Sequence, residues 1–214
     1  MNINLNKYKS IILDCDGVIL NSNKIKTRAF KLALKKYSKN EIDTFINYHK
    51  NNGGISRYVK FKHFYKNILK INKFEKEFEQ SLKNYEKELS NNILLSKQDN
   101  FLIKFLNKYK NKNLIVCTAS NEKELIKVFK KRKIYDFFDK IYGSPNSKFE
   151  NIKIGIANKF ILRPCVYIGD SSEDYKVAKK FKFDFIFKYP WSELDNWQEF
   201  VDKNRIKIIK NLNI

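Results

Sequence analysis

Apolar residues recur with two periods along this chain, and the change between them divides it. Ser10 to Leu13 is a short apolar run closed by Asp14, Cys15, Asp16 and Gly17, which predicts a buried strand followed by a turn. The period then becomes helical. Ile25, Ala29 and Leu32 share one face, Phe30, Ala33, Leu34 and Tyr37 the next, and Ile42, Phe45, Ile46 and His49 follow the same spacing until Gly53-Gly54 interrupts it. Phe61, Phe64, Tyr65 and Ile68 predict another helix, and Phe74, Phe78, Leu82, Tyr85 and Leu89 a further one.

After Leu95 strand and helix alternate. The stripe Phe101, Leu102, Phe105, Leu106, Tyr109 precedes a buried strand from Leu114 to Cys117. A helix from Glu122 to Lys133 carries acids in its first turn and bases in its last, which suits the helix dipole. Then come a strand at 139–142, a helix at 149–160, a strand at 165–168, a helix at 172–181 and a strand at 183–187. Ser192 with Asp195 is expected to cap a final helix, and 206–209 reads as a last strand. Alternation of this kind implies an α/β fold with a doubly wound parallel sheet. The all-helical stretch is expected to be an inserted cap, residues 21–92, with residues 1–20 and 93–214 forming the Rossmann-like core.

Composition refines this picture. With 214 residues, 43% hydrophobic and 15% aromatic, the chain can bury a core and a small added module. The net charge of +21 comes almost entirely from lysine, since arginine occurs only at 28, 57, 132, 163 and 205. The lysines alternate with acids and Asn on helical faces, as from Lys73 to Lys87, so they read as a solvated surface that steers small anions. Cys15, Cys117 and Cys165 are an odd set beside predicted strands, spaced unlike a zinc site. They are expected to be free thiols in a reducing, cytoplasmic setting. No apolar run approaches the ~20 residues of a membrane helix, and the first ten residues lack the apolar core of a signal peptide.

In a doubly wound sheet, ligands bind beyond the carboxyl ends of the strands, so the segments after each strand carry the chemistry. These are Asp14 and Asp16; Thr118, Ala119 and Ser120; Lys148 after a Gly-Ser-Pro loop; and Gly169, Asp170, Ser171, Ser172, Glu173 and Asp174. Carboxylates gathered at one edge repel one another unless a hard cation such as Mg²⁺ sits among them. A phosphoryl group there would find Mg²⁺, Lys148, the Thr118 hydroxyl and helix-starting N–H groups to offset its charge. Asp14 can then act as nucleophile, and Asp16, two residues on, as acid and base. Each motif alone is a common turn or cap; four in order after four strands are not. Lys153 is the alternative to Lys148, which is preferred because it precedes its helix.

This arrangement resembles the haloacid dehalogenase-like superfamily, in the branch with a helical cap typified by phosphoglycolate phosphatase and β-phosphoglucomutase. The resemblance implies Asp14 as nucleophile and metal ligand, and Asp16 as acid/base that also binds metal through its carbonyl. It implies Asp170 as metal ligand, Asp174 as its support, and Thr118, Ala119 and Lys148 around the phosphate. Many relatives carry an acid five residues after Asp16, where this chain has Asn21. In the cap, Arg57 and Lys60 lie three apart on one helix side, either as a clamp for a second anionic group or as a solvated pair. His49 and His63 read as packing or surface residues.

The expected function is therefore Mg²⁺-dependent hydrolysis of a small phosphorylated metabolite through an aspartyl-phosphate. The chain also looks like the small capped phosphatases that accompany bacterial surface-polysaccharide assembly, Gly53 to Arg57 included. A sugar phosphomutase is the alternative, and a basic nucleic-acid-binding protein ranks last, because no aromatic-rich recognition motif accompanies the charge. Neither nucleic acid nor membrane is an expected partner, and a monomer or small homo-oligomer is expected.

Overall fold

The computed structural model describes residues 3–214. Six parallel strands form one sheet in the order β3-β2-β1-β4-β5-β6. They are β1 (Ser10–Leu13), β2 (Asn113–Asn121), β3 (Lys140–Ser144), β4 (Cys165–Gly169), β5 (Asp184–Lys188) and β6 (Lys207–Ile209). β1 lies between β2 and β4, with Leu13 beside Val116 on one side and Ile168 on the other. The winding reverses on either side of β1, so a crevice opens beyond its carboxyl end.

The two-residue period of the strands sorts their side chains into two layers. Ile11, Leu13, Leu114, Val116, Val166 and Ile168 face α5 (Leu102–Lys108) and α6 (Glu122–Lys131), where they meet Phe105, Leu125 and Phe129. Ile12, Ile115, Cys117 and Tyr167 face α7 (Lys148–Ala157) and α8 (Ser172–Lys180), against Ile152 and Val177. All three cysteines are free and buried.

Between β1 and α5 the chain leaves the sheet as a helical insertion: α1 (Asn23–Ala33), α2 (Lys39–Asn51), α3 (Arg57–His63), which runs on as one wide π turn over Phe64–Ile68, and α4 (Glu75–Ile93). Its core is aromatic. The Phe30 ring lies 4.4 Å from Tyr85, 5.1 Å from Phe61 and 5.3 Å from Phe45. Each well-placed ring pair adds about 0.5–1.5 kcal/mol beyond the area it buries. The outgoing and returning segments run side by side: Leu20 bridges Gln98, and the Asn21 N–H donates to the Lys97 carbonyl at 2.8 Å.

Three expectations are corrected. β2 extends to Asn121 through an irregularity after Cys117, so Thr118 lies within it rather than after it. The last helix, α9 (Trp197–Lys203), starts after Asn196 in a left-handed conformation, and neither Ser192 nor Asp195 caps it. The Ser192 hydroxyl instead donates to the Asp170 carbonyl at 2.6 Å, which ties this loop to the sheet edge. The lysine surface also has exceptions, since Lys60, Lys148 and Lys188 are buried. No helix among the described residues is long and apolar enough to cross a membrane.

Candidate active site

The carboxyl end of β1 delivers Asp14 into the crevice, almost wholly buried. Its Oδ1 accepts the Cys15 N–H at 2.7 Å, and its Oδ2 lies 3.0 Å from Lys148 Nζ. Lys148 is placed there by α7, whose N-cap Ser147 forms a capping box with Glu150. The same ammonium donates to Asp174 Oδ1 at 2.6 Å. Asp174 is the N3 residue of the capping box that starts α8, so its Oδ2 accepts from the Ser171 hydroxyl at 2.6 Å and the Ser171 N–H at 3.2 Å. Lys153, by contrast, is exposed and lies over the Phe149 ring.

Asp170 follows β4 and receives the Asn23 amide at 2.7 Å from the insertion. One oxygen from each of Asp14, Asp170 and Asp174 falls within 4.8 Å of the others. Gly17 makes this possible. It sits at φ +80°, and a Cβ there would lie 1.9 Å from Asp170 Oδ2. The Gly17 carbonyl in turn accepts from buried Lys188 at 3.3 Å, and Lys188 pairs with Asp99 at 3.3 Å.

The electrostatics follow from this packing. Burial foremost, with the Asp174 and Asp16 charges, pushes Asp14 from 3.8 up to about 7, against the pull of Lys148. Burial and then Asp14 and Asp174 push Asp170 well above the carboxylate range. Lys148 stays charged, because Asp14 and Asp174 outweigh its burial. Three enclosed carboxylates facing one ammonium, all offering oxygen, suit a hard divalent cation.

Asp16 stands apart from this cluster. Its Oδ1 accepts from Ser22 at 2.5 Å; its Oδ2 accepts from Ser120 at 2.7 Å, from Lys26, and more distantly from Thr118 at 3.4 Å. Burial opposes ionisation, but Lys26 above all, then Ser22 and Ser120, hold it down at about 2. Ser22 precedes α1 without capping it, because its hydroxyl serves Asp16.

A cavity of about 70 Å³ lies between sheet edge and insertion, lined by Asp14, Asp16, Ala119, Ser120 and Asp170 below and by Lys26, His49, Arg57 and Lys60 above. Thr118 is fully buried beneath it. Gly53 and Gly54 close it from the α2–α3 loop. A Cβ on Gly54 (φ +81°) would stand 2.8 Å from Ser171 Oγ and 3.4 Å from Lys148 Nζ, so the loop covers the lysine.

The solvated alternative for Arg57 and Lys60 is overturned, because both are buried. Arg57 pairs with Glu86 of α4 at 3.4 Å and with Glu124 of α6, and lies over the Tyr85 ring. Lys60 donates to His49 Nδ1 at 2.7 Å. Thr27 donates to Glu193 at 2.6 Å, so its oxygen receives the His49 Nε2–H at 3.0 Å. Burial first, then Lys26, lowers Lys60 to about 7, and burial with Lys60 holds His49 well below 6.5. His63 stacks on Tyr48 at 3.6 Å.

Ser22, Asn23, Lys26, Lys188 and Glu193 escaped sequence reasoning. Four lie on a helix start or loop and Lys188 ends β5; packing sets the direction of each, and nothing in the local pattern marks it. Ser120 belongs to the segment Thr118 to Ser120 that the sequence places at a strand end, and the sequence assigns it no role.

The comparisons fit this geometry. The sequence matches the family of haloacid dehalogenase-like hydrolases over residues 11–188. No curated protein matches it significantly. Among solved structures, a predicted phosphatase from Clostridium acetobutylicum aligns at TM-score 0.75 and 18% identity, covering 96% of this chain and 95% of its own. A predicted phosphoglycolate phosphatase from Haemophilus somnus aligns at 0.73 and 16%, covering 98% and 96%. A haloacid dehalogenase-like hydrolase from Streptococcus pneumoniae aligns at 0.71 and 17%, covering 97% and 96%. At these identities the structures share the fold, while the sequence match spans the whole run from β1 through β5 that carries the acidic cluster. The chain therefore belongs to the haloacid dehalogenase-like hydrolases.

Proposed function

We propose that the chain is a Mg²⁺-dependent phosphatase of small phosphomonoesters, with Asp14 as nucleophile and residues 21–92 as a cap over the core formed by 1–20 and 93–214. The observation that carries this reading is the meeting of Asp14, Lys148, Asp170 and Asp174 at the end of the central strand, with Asp16 at the cavity beside them.

A divalent cation held by Asp14, Asp170 and the Asp16 carbonyl would supply positive charge for the phosphoryl oxygens. Asp174, with both oxygens occupied by Lys148 and Ser171, serves as support. An Asp14 oxygen attacks phosphorus while the ester P–O bond breaks, giving an aspartyl-phosphate. Asp16 gives a proton to the leaving oxygen, then takes one from the water that releases phosphate. Thr118, Ala119 and Lys148 are the neighbours of the phosphoryl group.

Two contacts must yield on substrate entry. Lys26 holds Asp16 ionised, so it must withdraw before Asp16 can act as an acid. The Gly53-Gly54 loop must lift for a phosphoryl group to reach Lys148. Both belong to the insertion, which couples binding to cap movement. Arg57 and Lys60 face the same cavity, where their charge favours an anionic substrate. The buried free thiols suit a cytoplasmic enzyme. Surface-polysaccharide precursors are one source of such substrates.

Phosphate release from a panel of phosphorylated metabolites tests this reading. Turnover should require Mg²⁺, stop with a chelator and vanish in Asp14→Asn. Full turnover by that variant would remove the assignment.

A further inference from the structure

A second cavity, far larger, begins where the first ends. It is a groove of about 610 Å³ between α4 of the insertion and α6 of the core, and Asp16, Lys26 and Ser120 line both spaces. That volume falls within the range of sites for medium-sized organic ligands. The polar cavity has about 70 Å³, roughly a ninth of the groove's volume. It suits a phosphoryl group and the atoms next to it, and a long leaving group finds its room in the adjoining groove.

The floor of the groove is apolar. Leu89 and Ile93 lie one turn apart on α4, and Leu125 and Val128 on one face of α6. Its rim is cationic. Lys87, Lys127, Lys130 and Lys131 line it and are exposed. Of its three acids, Asp16 is paired with Lys26, and Glu86 and Glu124 share Arg57, so the four rim lysines outweigh what charge remains. An apolar floor with a net basic rim suits an apolar body that ends in an anion.

We infer that this groove receives the leaving group, and that the substrate is a phosphomonoester of an elongated, largely apolar alcohol bearing a distal anionic group. The inference rests on the phosphatase reading and names its substrate class. The ester oxygen sits at Asp16, where the two spaces join. Breakage of the P–O bond leaves the electron pair on that oxygen, Asp16 protonates it, and the alcohol departs along α4 and α6. Water supplies the hydroxyl that leaves with phosphate.

Initial rates with Mg²⁺ on ethyl, butyl and hexyl phosphate, and on their ω-carboxylated counterparts, test the assignment. The value of kcat/KM should rise about fourfold per methylene while the groove fills. The ω-carboxylate should add a further gain that shrinks between 50 and 500 mM salt. Ser90→Trp places a bulky ring on an exposed groove position of α4 and should collapse the ratio of long-chain to short-chain kcat/KM toward one. Lys127→Glu with Lys131→Glu, both on the surface, should reverse the preference for the carboxylate. Rates independent of chain length, on an enzyme that does turn over the ethyl ester, would overturn the groove and leave the phosphatase reading standing. No release from any ester would overturn the phosphatase reading and the groove with it.

Discussion

The sheet edge and the helical insertion treat buried charge in opposite ways. At the sheet edge acids outnumber bases: Asp14 and Asp174 share Lys148, while Asp170 beside them has only the Asn23 amide, so their mutual repulsion stands. In the insertion the enclosed groups are basic, and they are made tolerable by losing charge or by fixed partners. Lys60 leans on a neutral His49, and Arg57 is held between two glutamates. One region keeps electrostatic tension at the end of the central strand, where the proposed reaction takes place. The other removes it around an aromatic core whose task is shape.

The largest break in that contrast is Asp14→Asn. Loss of a nucleophile costs on the order of 10⁴-fold or more in kcat, and phosphate release should show it while the fold persists. Next is Gly17→Ala. Its Cβ meets Asp170 at 1.9 Å, so the carboxylate must shift by an ångström or more. A loss of about 100-fold in kcat/KM is expected with little change in circular dichroism.

Opposite pH slopes sharpen the contrast. In metal-free protein Asp14 titrates near 7 rather than 3.8, so between these values the folded state holds the extra proton. Its contribution to stability must fall as pH rises from about 4 to about 7. Lys60 titrates near 7 rather than 10.5, so there the unfolded state holds the extra proton and stability must rise with pH from about 7 to about 10. Differences in Tm between the wild type and Asp14→Asn, and between the wild type and Lys60→Met, isolate the two slopes. Slopes of the same sign would end the comparison. The smallest effect is expected for Arg57→Ala. Its glutamate partners are about 40% exposed, so stability should drop by about 1 kcal/mol, with KM raised severalfold.

The same division governs what could be read from the sequence. The sheet and the segments bearing Asp14, Lys148, Asp170 and Asp174 were legible, because strand ends are fixed by a two-residue period and a parallel sheet brings them together wherever they lie in the chain. Lys148 over Lys153 could be chosen from its place before α7. The insertion's helices were legible too, but their docking was not. Which of Lys26, Lys50 or Lys60 meets Asp16 depends on how α1, α2 and α3 dock around their shared aromatic core, and no local pattern encodes that docking. Ser192 illustrates the converse: it reads as a cap, and the Asp170 carbonyl claims it.

The paired segments at Leu20 and Gln98 carry an engineering consequence. Because departure and return lie one hydrogen bond apart, a short hairpin could splice Asn21 to Lys97 without opening the sheet. Lys188 and Asp99 would still brace the Gly17 turn from below. The same junction could accept a foreign module, making the chain a chassis on which selectivity is swapped while the reaction centre stays.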